Sequence, residues 1–281
     1  MKYIENIKSA SPHTLTSYQK DLEQAFGDLR QKSMTEGDIL KVCKAAQRRW
    51  APLSLATKNR KASVLKSFLG WLADQNLTSK NLSHQIHAPK VPKKIPHFIS
   101  ADEAIAILKS FQKTQSASKT SEADQKSLQD QRILFYLLYG CGLRVSEACQ
   151  MKWSDLNFSS KTITVLGKGN KQRLITAPKI VFELLGKLKK RKSVFLFGDP
   201  PMDRRKAYEL VRKSGIQAGL MKPLHPHALR HSFATHLLTS GADLRVLQEL
   251  LGHSSMSATE KYTHLSTDHL ANTLATKHPL K

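Results

Sequence analysis

Negative charge is scarce in this chain. Against 45 Lys and Arg there are only 22 Asp and Glu in 281 residues, a formal charge of +23. A surface so poor in carboxylates argues against a cationic partner and for a polyanion, with nucleic acid first and an anionic membrane surface second. Cysteine is almost missing too: Cys43, Cys141 and Cys149 form no CxxC pair and are odd in number, which excludes a disulfide scaffold and suits a reducing compartment. No apolar run approaches the roughly 20 residues of a membrane-spanning helix. The opening MKYIENIKSA carries no apolar signal core, so the expected location is the cytoplasm. The nucleotide-loop pattern GxxxxGK[ST], the HExxH glutamate and any cluster of carboxylates are also lacking. The expectation is therefore chemistry with no cofactor and no metal.

What is present is a sizeable core. With 40% hydrophobic residues the chain can bury two cores of ordinary size. Ser11 and Pro12 read as an N-cap followed by proline at the first helical position, and Leu15, Tyr18, Leu22 and Phe26 recur at helical spacing. Ile39, Val42, Cys43, Ala46 and Trp50 form a second run, and Val64, Leu65, Phe68, Leu69 and Leu72 a third. Lys58, Arg60, Lys61 and Lys66 surround that third stripe. A basic helix face can follow a phosphate backbone, or it can simply be solvated.

Three prolines and three lysines in APKVPKKIPHFIS deny residues 88–99 a helix and predict an extended basic linker, with Lys93 and Lys94 as candidate DNA contacts. Ser100 and Glu103 then form a capping box that opens the second block. Residues 112–130 are nearly all polar and read as a surface loop or a frayed helix end.

ILFYLLYGCGLRVSEACQMKW reads as a helix. Beyond it, TITVLGKGNKQRLIT carries two β-branched runs around Gly167-Lys168-Gly169-Asn170, a hairpin signal. Lys168 stands at its tip, either a solvated turn lysine or a group able to reach outward; Lys171 and Arg173 follow as further candidate DNA contacts. In the last third, His227 and Arg230 share a helix face by their spacing. Gly241 and Gly252 look like helix stops, with Asp243 an N-cap between them. His227 and His231, four apart, raise a zinc alternative, but no cysteine lies near and no spacing supplies a third ligand. His231 and His236 are read as core or surface histidines.

Taken in order, GCGLRVSEACQMKWSDL, GKGNKQR and HALRHSFATHLLTSGADLRVLQELLGHSSMSATEKYTHLS resemble the successive motifs of the tyrosine recombinase (phage integrase) family, nearest to its bacterial Xer members. SPHTLTSYQKDLEQAF resembles the start of that family's helical core-binding domain. The resemblance implies a mainly α fold with a small antiparallel β-sheet: a helical, SAM-like core-binding domain over 1–87, the linker 88–99, and a catalytic domain over 100–281 ending in an oligomerisation segment near Thr267 to Lys281. Carried over position by position, it implies Arg144, Lys168, His227, Arg230 and His253 around a nucleophile at Tyr262; Glu147 falls where the family commonly has an acid, and the role expected of it is to orient an arginine. It also implies a double-stranded DNA site, a tetramer formed with itself or a paralogous recombinase, and an FtsK-like DNA translocase as partner. The task it suggests is resolving chromosome or plasmid dimers. An integrase of a mobile element, a catalytically silent DNA-binding protein on the same fold and a histidine-based metal nuclease are the alternatives.

These residue types suit that chemistry. Attack on a phosphodiester builds charge on its non-bridging oxygens, so fixed cations must wait there, and arginine offers a planar pair of donors that lysine lacks. A tyrosine of pKa about 10 is ionised in roughly one molecule in a thousand at pH 7, a deficit of ~4 kcal/mol that two arginines and a base such as His227 would offset. His253 would donate a hydrogen bond to the phosphate. The departing 5′ oxygen needs a proton, for which Lys168 is the donor the resemblance implies.

Overall fold

The computed structural model describes residues 3–4, 7, 12–27, 34–92, 98–116, 121–167, 172–187 and 193–243. The chain divides into two compact units, Met1–Lys94 and Ile95–Lys281. The expected linker is thus shared between them: the Asn59 side chain donates to the carbonyl of Pro89 (2.8 Å) in the first unit, and the Ile99 N–H donates to Ser232 (2.8 Å) in the second.

The first unit is helical. Helices α1 (Pro12–Phe26), α2 (Glu36–Arg49) and α3 (Leu55–Asp74) close on Cys43, Ala46, Trp50, Leu65 and Leu69, with Leu82 and Ile86 completing the core. Thr35 and Asp38 form a reciprocal capping box at the start of α2, and Ser54 caps α3 through the Thr57 N–H. Arg49, in the last turn of α2, donates to the carbonyls of Gln24 and Ala25, where α1 ends. Asp21 is buried and accepts from Lys61 (2.7 Å) and from both terminal nitrogens of Arg60.

In the second unit α4 (Ala101–Ser116) starts at the expected box: the Ser100 N–H donates to Glu103 and the Glu103 N–H to Ser100. Where it is described, the polar stretch 112–130 is largely helical: its start is the helix end that the sequence allowed, and its latter part is a helix where a surface loop was the other reading. Its first residues continue α4, and α5 (Glu122–Phe135) begins at Ser121, whose hydroxyl accepts from the Asp124 N–H. Polarity misled there because α5 turns Asp130 and Gln131 inward: Ser214 donates to the Gln131 side chain, and Lys126 pairs with Asp130.

The single helix expected through GCGLR is also interrupted. After Phe135 the chain widens into a π turn over Tyr136–Gly140, then breaks at Gly142 and resumes as α6 (Val145–Cys149). Gly142 has φ +64°, and a Cβ there would fall 2.5 Å from the Phe233 ring, so glycine is required on both counts. Next comes a three-stranded antiparallel sheet of β1 (Leu156–Asn157), β2 (Thr162–Leu166) and β3 (Gln172–Thr176), in that order. Its register sets Val165 opposite Arg173 and Ile163 opposite Ile175. Helices α7 (Lys179–Gly186), α8 (Arg204–Gln217) and α9 (Pro226–Thr239) complete the described part. A Schellman motif ends α9: Gly241, at φ +81°, donates to Leu238 and Ala242 to Leu237. Asp243 follows, and the helix it was expected to cap lies outside the described residues.

Candidate active site

One carboxylate organises this region. Glu147 lies three residues after Arg144, the N-cap of α6, so its side chain folds back and accepts the Arg144 N–H at 2.8 Å, as the acid of a capping box does. Its other oxygen accepts from the Arg144 guanidinium at 2.9 Å. Arg173 of β3 approaches as a two-pronged fork, 2.9 Å to Oε1 and 2.8 Å to Oε2. Arg230, one turn into α9, places Nη1 3.9 Å from Oε2 and donates the same nitrogen to the carbonyl of Gly142. Three guanidinium groups from separate stretches of the chain thus surround one acid.

Burial orders them. The Glu147 side chain is 7% exposed, Arg230 13% and Arg173 14%, whereas Arg144 is 37% exposed. Desolvation alone would raise the Glu147 pKa, but hydrogen bonds from Arg173 and Arg144 outweigh it and hold the carboxyl below its usual range. Burial and the neighbouring Arg144 charge lower Arg230 to about 10, still far enough above neutrality to keep it a cation.

His227 lies in the first turn of α9, exposed, with the Tyr208 ring edge-on at 6.5 Å between centroids. Pro226, at the first helical position, has no N–H to leave unpaired, and the N–H groups of Ala228 and Leu229 donate to the carbonyl of His225. Arg144, Arg230 and Glu147 are therefore gathered at one place, and His227 shares the helix of Arg230. Lys168, His253 and Tyr262 lie outside the described residues, as do Lys93, Lys94 and Lys171. His231 stands against Phe98 and His236 within hydrogen-bond distance of the Tyr139 hydroxyl (2.8 Å).

Two expected DNA contacts are corrected. Arg173 is spent on Glu147, not presented to solvent, because strand alternation puts it on the inward face with Ile175. Lys61 is buried between Asp21, Gln24 and the Trp50 ring, 4.5 Å from its centroid. It lies four residues before Leu65, on the apolar stripe itself. Arg60 divides its guanidinium between Ser17 and Asp21 yet remains 45% exposed. Lys58 and Lys66 are half-buried. Lys44 and Arg48, which the sequence did not single out, line with Lys58, Trp50 and His87 a groove of about 600 Å³ in the first unit. Their exposed positions on α2, opposite Cys43 and Ala46, were the available signal.

Comparison with known proteins identifies the family of the chain. Residues 98–269 match the phage integrase family and residues 1–76 the phage integrase N-terminal SAM-like domain. The tyrosine recombinase XerC of Halalkalibacterium halodurans is 34% identical over 99% of this chain and 95% of its own length. XerC of Rhodospirillum centenum is 36% identical over 99% and 85%. Among solved structures, the Tn1549 transposon integrase in complex with transposon right end DNA superposes with a TM-score of 0.67 at 23% identity, covering 96% of this chain and 95% of that one. The XerH site-specific recombinase bound to its difH substrate gives 0.64 at 23%, covering 98% and 82%. Two family matches and full-length relatives above 30% identity lead to one conclusion: the chain belongs to the phage integrase family, the tyrosine-type site-specific recombinases.

Proposed function

We propose that the protein cleaves and rejoins DNA at a specific site through a 3′-phosphotyrosyl intermediate on Tyr262 and a Holliday junction, in a Xer-like role. The observation that carries this reading is the convergence of Arg144 and Arg230, 86 positions apart in sequence, on the single carboxylate of Glu147. Two cations held there can bind both non-bridging oxygens of one phosphate. The Tyr262 oxygen attacks phosphorus, and the bond to the 5′ oxygen breaks. Arg144, Arg230 and His253 stabilise the charge on the non-bridging oxygens, His227 takes the phenol proton, and Lys168 gives a proton to the departing oxygen. The bond energy is retained in the protein link, so rejoining to a second strand needs neither ATP nor metal.

Affinity would come mainly from phosphate contacts by Lys58, Lys66, the exposed part of Arg60, the linker lysines Lys93 and Lys94, Lys171, and the groove residues Lys44 and Arg48. Full-length similarity to XerC proteins supports the Xer-like role, for which resolution of chromosome or plasmid dimers is the proposed task. In that role the chain works as a tetramer with itself or a paralogue, in the cytoplasm, with an FtsK-like translocase as partner.

The test begins by selecting the preferred site from genomic fragments. A labelled, nicked duplex of that site is then incubated with the protein in EDTA. An SDS-resistant adduct is expected with the natural chain and not with Tyr262→Phe. Absence of an adduct from the natural chain, or its persistence in the variant, overturns the reading.

A further inference from the structure

Arg173 is the charged residue of this region that the proposed chemistry does not use. Its guanidinium occupies both oxygens of Glu147, at 2.9 and 2.8 Å, and its Nε is buried with no acceptor among the described residues. Stability is a weak explanation for such a group. A buried ion pair is commonly replaceable by apolar side chains without loss, and an orphaned donor makes this one costlier still.

Position explains it better. Glu147 is almost fully buried, so its charge must be met by cations within reach. It has two functional ones: Arg144, already bonded, and Arg230, whose Nη1 is 3.9 Å from Oε2. A side-chain rotation would close that gap and draw Arg230 into a direct pair. The fork of Arg173 fills the lone pairs such a rotation would need, and β3 delivers it from the face of the sheet shared with Ile175.

We infer that Arg173 is a positioning residue: by holding both oxygens of Glu147, it keeps that carboxylate on Arg144 and away from Arg230, so that both arginines are presented to the scissile phosphate. This rests on the proposal that Arg144 and Arg230 bind that phosphate. The bonds made and broken are those of the proposed cleavage; Arg173 touches neither.

The experiment measures single-turnover adduct formation by the full chain at saturating protein on three versions of the nicked site. One has the ordinary phosphate, one has methyl in place of a non-bridging oxygen, and one has sulfur in place of the 5′ leaving oxygen. Arg173→Met is expected to slow the ordinary reaction roughly 100-fold, the cost of about an ångström of misplacement. Site affinity should be unchanged. Most of the deficit should vanish on the methyl substrate, which carries less charge for the arginines to meet, and should persist on the sulfur substrate. Arg173→Lys, which keeps a cation on Glu147, should show the same pattern at smaller amplitude and carries the test if Arg173→Met gives no cooperative melt. An unchanged rate on the ordinary site, an equal deficit on all three, or relief by sulfur alone would overturn the inference. Arg230→Ala is the control: if the methyl substrate does not relieve its deficit, the phosphate-binding reading fails and not the Arg173 inference alone.

Discussion

Gly142 and Phe233 meet so closely that a Cβ on the glycine would lie 2.5 Å from the ring. The packing has a functional consequence, because the carbonyl of Gly142 accepts the hydrogen bond of Arg230, three residues before Phe233. The break after the π turn and the placing of Arg230, a cation of the proposed site, are therefore one local structure, and π turns recur at functional sites.

Gly142→Ala should accordingly damage fold and chemistry together. A left-handed φ costs a side chain about 1–2 kcal/mol. Overpacking against Phe233 adds about 1–3 kcal/mol. The expected result is a melting temperature lowered by several degrees, with adduct formation slowed more than residual folding explains. Phe233→Leu in the same chain should recover stability by making room for the new methyl.

Arg230→Lys keeps the charge but not the planar pair of donors. Cleavage should fall by about 100-fold or more, as when one donor to a developing oxyanion is removed. Binding to the site should change little, since most of the proposed phosphate contacts would remain. Single-turnover rates beside gel-shift affinities separate the two effects; a large fall in affinity would assign Arg230 to ground-state binding instead.

Much of this was legible beforehand. The Ser100–Glu103 box, the pairing of the strands on either side of Gly167-Lys168-Gly169-Asn170 and the Gly241 helix stop follow from local rules and stand where those rules put them. Which way a charged side chain faces did not follow from its charge. Lys61 and Arg173 look like phosphate ligands by type, yet each lies at an inward phase of its element, four residues before Leu65 and two before Ile175. Periodicity held that information and residue type obscured it. The interruption at Gly142 was hidden because the apolar residues on either side read as one helix, whereas the left-handed φ of Gly142 and its close approach to Phe233 belong to the folded structure.

In the first unit the two kinds of lysine should part company. Lys61→Met leaves Asp21 with Arg60 alone in a buried position, and breaking such a pair is expected to cost about 3–5 kcal/mol. The salt dependence of DNA binding should not change in the folded protein. Lys44→Ala or Lys66→Ala should do the reverse, leaving the melt nearly unaltered and lowering the slope of log K against log salt by about 1 for each phosphate that is no longer neutralised. A reduced slope for Lys61→Met would return that lysine to the DNA surface.

His236 predicts a pH dependence of stability. Burial disfavours its charged form and lowers its pKa, only partly opposed by a hydrogen bond that the ring donates to the backbone at Ile99. The unfolded chain therefore binds a proton more readily than the folded one. Stability should be fully present above the ordinary histidine range, near pH 6.5, and decline as pH falls through it towards the lowered folded value. Denaturant melts from pH 8 to pH 5 should show this slope in the natural chain, and a shallower one in His236→Gln. Equal slopes would remove His236 as the cause.

The proposed reaction passes through a covalent bond to DNA, and its most direct measurement is the site of that bond. Protease digestion of the SDS-resistant adduct, followed by mass spectrometry of the DNA-linked peptide, should find a 3′-phosphate joined to Tyr262 within the sequence SATEKYTH. A link to any other residue, or to a 5′-phosphate, would contradict it.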